Sequence, residues 1–72
     1  MKNEAEKRYE ALVKFGAEPE RARKIIDYVY SKEGNDQNAP IILGNYMGYL
    51  SRNNMKLEKM LYDLEKTFKL EK

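Results

Sequence analysis

The chain has 72 residues, of which 36% are charged and 42% are hydrophobic, with 14 basic side chains against 12 acidic ones. This length leaves room for one domain over residues 1–72, and the absence of cysteine excludes disulfide bonds and thiolate metal sites. The low net charge disfavours nucleic acid as a partner. The N-terminus lacks an apolar signal region, and the longest weakly polar stretch, residues 40–50, is too short to cross a bilayer, so we expect a cytoplasmic protein with no membrane contact.

The first predicted helix covers about residues 3–15. Asn3 is a suitable N-cap, and acidic residues follow it in the first turn, where they favour the positive end of the helix dipole. Hydrophobic side chains recur at helical spacing along one face: Ala5, Tyr9, Leu12 and Val13. Gly16 follows as a residue able to adopt the left-handed conformation that ends a helix.

The second predicted helix covers about residues 19–33. It begins at Pro19, which is well suited to the first helical position, and Gly34 follows as its stop signal. A second stripe at helical spacing consists of Ala22, Ile25, Ile26 and Val29. Because the linker between the first two helices is short, we expect them to be neighbours, either in a hairpin or as a crossed pair.

The linker and its flanks carry one family resemblance. Within residues 12–25, Phe15-Gly16-Ala17 is followed by Ala22, and this run resembles the first loop of ubiquitin-associated domains. The run covers about a fifth of the chain. Its aromatic residue precedes the glycine, which is the reverse of the order in those domains. We infer no function from this resemblance.

The third predicted helix is the longest and covers about residues 39–70. Leucines recur in it every seven residues, namely Leu43, Leu50, Leu57 and Leu64. A second set lies between them at the spacing of a coiled-coil heptad, namely Met47, Asn54, Leu61 and Phe68. The sequence therefore predicts an all-α fold of three helices, a short helical hairpin plus a long third helix with coiled-coil-like heptads.

A third helix of this length would extend beyond the hairpin, which leaves the partner of its C-terminal half open. One interpretation is a homodimer whose seam consists of Leu57, Leu61, Leu64 and Phe68, with the polar Asn54 fixing a two-stranded register. The alternatives are that the same stripe binds another protein, or that it packs on the first two helices of its own chain.

An uncharged segment runs from Gln37 to Ser51, which is unusual in a chain so rich in charge. Gly44 and Gly48 lie within it one helical turn apart, and each glycine costs about 1 kcal/mol inside a helix. Close approach of another helix would offset that cost. The two interpretations are a tight crossing against the second helix and a docking surface for a partner.

We expect a partner to contact a set of aromatic and flexible side chains on and near this segment, because such residues are enriched at the centres of interfaces. The predicted partner-binding residues are Tyr46, Tyr49, Met60 and Tyr30.

Catalysis is not indicated, since the chain has neither histidine nor cysteine and no phosphate-binding glycine loop. We expect no enzyme, no cofactor and no metal. The sequence predicts a small protein–protein interaction module, for which a phage-type or regulatory inhibitor of a bacterial protein is one role. The alternative is a small dimeric DNA-binding regulator, because Arg21, Arg23 and Lys24 open the second helix after a turn, as in a helix-turn-helix.

Overall fold

The computed structural model of the protein describes residues 3–31 and 37–70. Within these ranges the chain is helical and has no strand. The helices are α1 (Glu4–Lys14), α2 (Pro19–Val29), α3 (Ala39–Ser51) and α4 (Leu57–Thr67). The all-helical class is thus confirmed, whereas the prediction of three helices with a long third one is wrong.

The first hairpin, α1 and α2, forms much as its capping residues indicate. The backbone N–H of Glu6 donates to Oδ1 of Asn3 at 2.9 Å, which satisfies a free donor at the start of α1. At the other end, Gly16 has a φ of 113°, and the N–H groups of Gly16 and Ala17 reach back to the carbonyls of Val13 and Leu12. This paired closure is a Schellman motif, which turns the chain sharply into α2.

A second Schellman motif breaks the predicted long helix in two. Asn53 has a φ of 60°, its N–H donates to the carbonyl of Leu50, and the N–H of Asn54 donates to the carbonyl of Tyr49 at 2.8 Å. Asparagine tolerates this left-handed conformation better than most residues, so the Asn53-Asn54 pair ends a helix much as glycine does. The turn over residues 52–56 then folds α4 back as a separate helix that contacts α3.

The seven-residue leucine spacing therefore does not describe a coiled coil. It arises because α3 and α4 each present a hydrophobic stripe toward the same core, from two sides of a turn. Leu43 and Met47 belong to the α3 stripe, whereas Leu61, Leu64 and Phe68 follow the turn. Asn54 lies exposed in the turn, where it has no role in helix register.

The core is a single cluster to which every helix contributes, and α2 contacts each of the other three helices. The stripe predicted on the second helix is buried, with Ala22, Ile25 and Ile26 at most 1% exposed and Val29 at 6%. The helix itself ends at Val29 rather than in the last predicted turn, and residues 32 and 33 of that prediction lie outside the described ranges. None of the described helices has the length and apolar character needed to cross a membrane.

Two side-chain contacts join α2 to α4. The guanidinium of Arg21 donates to both oxygens of Glu65, at 3.0 and 2.8 Å, and to both oxygens of Glu58, at 2.8 and 3.1 Å. Further along, the rings of Tyr28 and Phe68 stack with their centroids 4.7 Å apart. The second hairpin is thus fixed against the first, and this fixes which side of α3 faces outward.

Candidate functional site

The outward side of α3 is the most unusual surface of the described residues. A helix at a protein surface normally carries charged or polar side chains on its exposed side. On α3 the exposed positions are Ile41, which is 62% exposed, Asn45, Tyr49, which is 41% exposed, and Ser51, so none of them is charged. The first three of these residues are spaced four apart, so they lie on one face. We call Ile41, Asn45, Gly48 and Tyr49 the α3 outer face.

The glycines of α3 are not covered by another helix. A Cβ built on Gly44 would lie 3.7 Å from Nη2 of Arg8, and one built on Gly48 would lie 3.3 Å from Nη1 of Arg52. The predicted tight crossing of this glycine pair against the second helix is therefore wrong. The two glycines leave a strip of helix backbone, and the atoms closest to where their Cβ atoms would lie are the ends of the Arg8 and Arg52 side chains.

Tyrosines extend the α3 outer face toward α4. The rings of Tyr46 and Tyr49 meet edge to face with centroids 6.0 Å apart, and the guanidinium of Arg52 lies 5.7 Å from the centroid of Tyr49. Tyr46 is half-buried, and on α4 Tyr62 is 52% exposed. The predicted anchors Tyr46 and Tyr49 are thus in contact with each other at the edge of this face.

The α4 border of the tyrosine cluster carries a cation. Nζ of Lys59 donates to Oδ1 of Asp63 at 3.0 Å. This hydrogen bond and the charge of Asp63 raise the pKa of Lys59, and the hydroxyls of Tyr46 and Tyr62 lie close enough to add to the effect. Lys59 therefore remains protonated beside the tyrosines.

The other two predicted partner-binding residues do not belong to this surface. Met60 is fully buried in the core, where it fills space between helices. Tyr30 is half-buried after α2, and its hydroxyl donates to Oε2 of Glu4 at 3.0 Å. Burial is the main cause that raises the pKa of Tyr30, and the hydrogen bond to Glu4 adds to it. Tyr30 thus ties the end of α2 to the start of α1 instead of lying beside Tyr49.

The leucines and the phenylalanine of the predicted dimer seam pack against the core of their own chain. Leu61, Leu64 and Phe68 are each at most 4% exposed. Leu57 is half-buried, with its Cδ2 only 3.5 Å from where a Cβ on Gly16 would lie. The seam required these side chains to project from one continuous helix, and the fold instead uses them to pack α4 against its own chain.

The sequence reasoning did not single out Ile41, Arg8 or Arg52, which the structure places on or beside the α3 outer face. For Ile41 a signal was present, because it lies four residues before Asn45 and eight before Tyr49, on the side opposite Leu43 and Met47. The two arginines belong to other segments, and only the tertiary fold shows that they reach the glycines.

An open groove of about 370 Å³ lies between α1 and α2. Its lining residues are Tyr9, Pro19, Glu20, Arg23 and Lys24. The guanidinium of Arg23 lies 3.9 Å from the centroid of Tyr9 and within 3.3 Å of a Glu6 oxygen. The guanidinium of Arg23 thus covers part of the groove, just as the ends of Arg8 and Arg52 cover the two glycines of α3.

Comparisons of the chain with protein-family models, with curated proteins and with solved structures found no match.

Proposed function

We propose that the protein is a non-catalytic protein–protein interaction module that binds its partner through the α3 outer face. The observation that carries this proposal is a surface helix without a single charged residue, Ala39–Ser51, in a chain that is 36% charged. Depletion of charge, together with aromatic side chains, is the composition typical of the centre of a protein interface.

The energetic reason concerns what α3 leaves in water. Ala39, Leu43 and Met47 of this helix are buried, and Ile42, Tyr46 and Leu50 pack half-buried against the core. Ile41 and Tyr49 are the large hydrophobic side chains that α3 leaves exposed. A single exposed hydrophobic side chain is ordinary, but an exposed helix face with none of the usual charges is not. Burial of Ile41 and Tyr49 against a partner would remove this exposed apolar area from water and so stabilise the complex.

The biological role favoured by the composition is that of a phage-type or regulatory inhibitor, since abundant asparagine, lysine and tyrosine are typical of AT-rich bacterial and phage genomes. Such a protein acts by occupying a surface of a bacterial protein. It needs no reacting groups of its own, only a rigid scaffold and one binding face.

The rival role, a dimeric DNA-binding regulator, receives less support from the contacts of α2. Arg21 is engaged by Glu58 and Glu65. Arg23 is engaged by Glu6 at 3.3 Å and by Asp27 at 4.0 Å. A phosphate backbone would have to compete with these carboxylates for the arginines, in a protein of net charge +2.

The proposal is tested by capture from bacterial lysate with tagged wild-type protein and variants that differ at one exposed residue. Ile41→Asp and Tyr49→Asp place a charge in the α3 outer face. Phe15→Asp is the matched control, because Phe15 is an aromatic residue of similar exposure, 45% against 41% for Tyr49, and it lies after α1. Thermal melts monitored by circular dichroism establish that each variant is folded.

We expect the wild type and Phe15→Asp to retain the same protein, identified by mass spectrometry, and both α3 variants to lose it. Truncating a central interface anchor typically weakens binding by about thirtyfold or more, which is sufficient for loss in a washed capture. Retention of the same protein by both folded α3 variants would show that this face is not the binding surface. Binding of random duplex DNA that weakens steeply with salt would instead support the rival role.

A further inference from the structure

We propose, building on the function proposed above, that the occupant of the α3 outer face is an amphipathic α-helix of another protein whose apolar ridge is flanked by carboxylates. The juxtaposition that carries this inference is an uncharged, glycine-flattened helix face with cationic side chains along its borders.

Two arginine side chains border the face. Nη2 of Arg8, from α1, lies over Gly44 on one side. Arg52, at the C-terminal end of α3, lies over Gly48 and beside the ring of Tyr49. On α4, Lys59 is paired with Asp63 at 3.0 Å, so these two side chains together add no net charge.

The carboxylates nearest to these borders already have partners. Asp63 accepts a hydrogen bond from Lys59, and Glu4 accepts one from Tyr30. On α3 itself there is no acidic residue at all. The sign of the border charge therefore favours a partner that brings carboxylates to both sides of its apolar residues.

The shape of the face favours a helix as that partner. Gly44 and Gly48 lie one turn apart, so no side chain separates an approaching ridge from the backbone of α3 along this strip. The atoms that overlie the strip are the ends of Arg8, which also interacts with Tyr30, and of Arg52, which lies beside the ring of Tyr49. An incoming helix would displace these two flexible ends outward, toward carboxylates on its own flanks.

A second copy of this chain fits the face less well. In a two-fold symmetric dimer the same surface would face itself, which brings the arginines of one copy toward those of the other. The face is also only one helix wide, and a 13-residue helix is about 20 Å long, which is small for a stable dimer that rests on this contact alone.

The inference is tested with three synthetic helical peptides that share one leucine-bearing apolar face and differ only in the flanking residues, which are glutamate, glutamine or lysine. Binding of each labelled peptide to the purified full chain is measured by fluorescence anisotropy at low and at high salt. We expect the glutamate peptide to bind about tenfold more tightly than the lysine peptide, since two surface ion pairs together contribute on this scale. The difference should shrink at high salt, because exposed pairs are screened.

Two protein variants locate the binding. Replacing both border arginines, Arg8→Gln with Arg52→Gln, should bring the three peptides to within about threefold of each other. Arg23→Gln is the matched control, because it removes a cation that lies over Tyr9 and away from α3, and the preference should persist. Ile41→Asp should abolish binding of all three peptides.

Equal binding of the three peptides by the wild type, or binding that survives Ile41→Asp, would overturn the inference. If no peptide binds while lysate capture still depends on Ile41 and Tyr49, the partner class is wrong and the proposed function stands. If the capture also fails, the proposed function fails with it. A wild-type dimer in sedimentation equilibrium that Tyr49→Asp dissociates would identify a second copy as the occupant and overturn the inference as well.

Discussion

The guanidinium of Arg21 is the polar link between α2 and α4 whose loss should be easiest to measure. Both carboxylates hold it in place, and the hydrogen bond to Glu65 raises its pKa, so it is charged throughout the accessible pH range. The pair with Glu65 is bidentate, and the Glu65 side chain is only 21% exposed, which places it above an ordinary surface pair. The Glu58 side chain is 73% exposed, so its contribution is less than about 0.5 kcal/mol.

Arg21→Gln should therefore lower the free energy of unfolding by about 1–2 kcal/mol, mainly through loss of the Glu65 pair. In a domain of this size each kcal/mol corresponds to about 4–8 °C in melting temperature. Urea unfolding followed by circular dichroism at constant pH would measure the difference directly. An unchanged midpoint of urea unfolding would show that the ion pairs of Arg21 do not hold α4 against α2.

The two acidic partners provide a matched control for this prediction. Glu65→Gln and Glu58→Gln make the same chemical change at the same arginine, so they differ mainly in solvent exposure. We expect Glu65→Gln to be clearly more destabilising than Glu58→Gln, and Arg21→Gln to add little once Glu65 has been replaced. If Glu58→Gln destabilised the protein more than Glu65→Gln, solvent screening would not determine the relative strength of the two ion pairs, and the reasoning would be refuted.

Four further predictions follow from single positions. Leu61→Asp should unfold the chain, because a residue that is 1% exposed would carry an unpaired charge into the core, and a folded variant by far-UV circular dichroism would contradict this. Asn54→Leu should change the unfolding free energy by less than about 0.5 kcal/mol, since Asn54 lies exposed in a turn, and stabilisation that grows with protein concentration would argue for contact between chains. Lys69→Gly should stabilise the protein by about 0.5–1 kcal/mol in urea unfolding, because Lys69 closes α4 with a φ of 58°, and a loss of stability would show that this conformation is not strained. The pKa of Tyr30 is raised above 10.0 in the folded protein, so its contribution to stability is present at neutral pH and is lost as the pH rises above about 10. Tyr30→Phe should therefore reduce the loss of stability at alkaline pH, and identical alkaline stability profiles for the two proteins would contradict this.

The first hairpin could be predicted because its signals are local. Asn3, Gly16 and Pro19 each act within a few residues, and the structure shows each of them in the expected role. The stripe on α2 has a helical period and no competing pattern, so its burial followed directly. Only the end of α2 differed, since no strong stop signal stands between Val29 and the predicted end of the helix.

The second hairpin was missed because two patterns conflicted. The seven-residue spacing of the leucines continues across the turn, and a helical pattern that continues suggests an unbroken helix. The Asn53-Asn54 pair is a weaker signal than a glycine or a proline, but it was the one that decided the fold. Once the chain reverses at Asn53, the stripe that was expected to bind a second copy meets α2 and α3 instead.

The candidate surface could be predicted in part for a related reason. The absence of charge from Gln37 to Ser51 is visible in the sequence, and so is the proximity of Tyr46 and Tyr49 on one helix. The side of α3 that faces solvent is not visible in the sequence, because it depends on how α4 folds back. Met60 is buried and Ile41 is 62% exposed in the folded chain, and neither exposure could be judged without knowing where α4 packs.

The glycines connect the fold to the proposed function. In a helix that served only as core, alanine at positions 44 and 48 would be favoured by about 1 kcal/mol each. At both positions a methyl group would meet only the ends of arginine side chains, so packing within the chain does not require glycine there. A surface on which close approach of a partner backbone stabilises the complex does supply a reason for glycine at both positions. Gly44→Ala and Gly48→Ala should therefore stabilise the isolated protein and weaken partner binding, an opposition that a purely structural role for these residues does not predict.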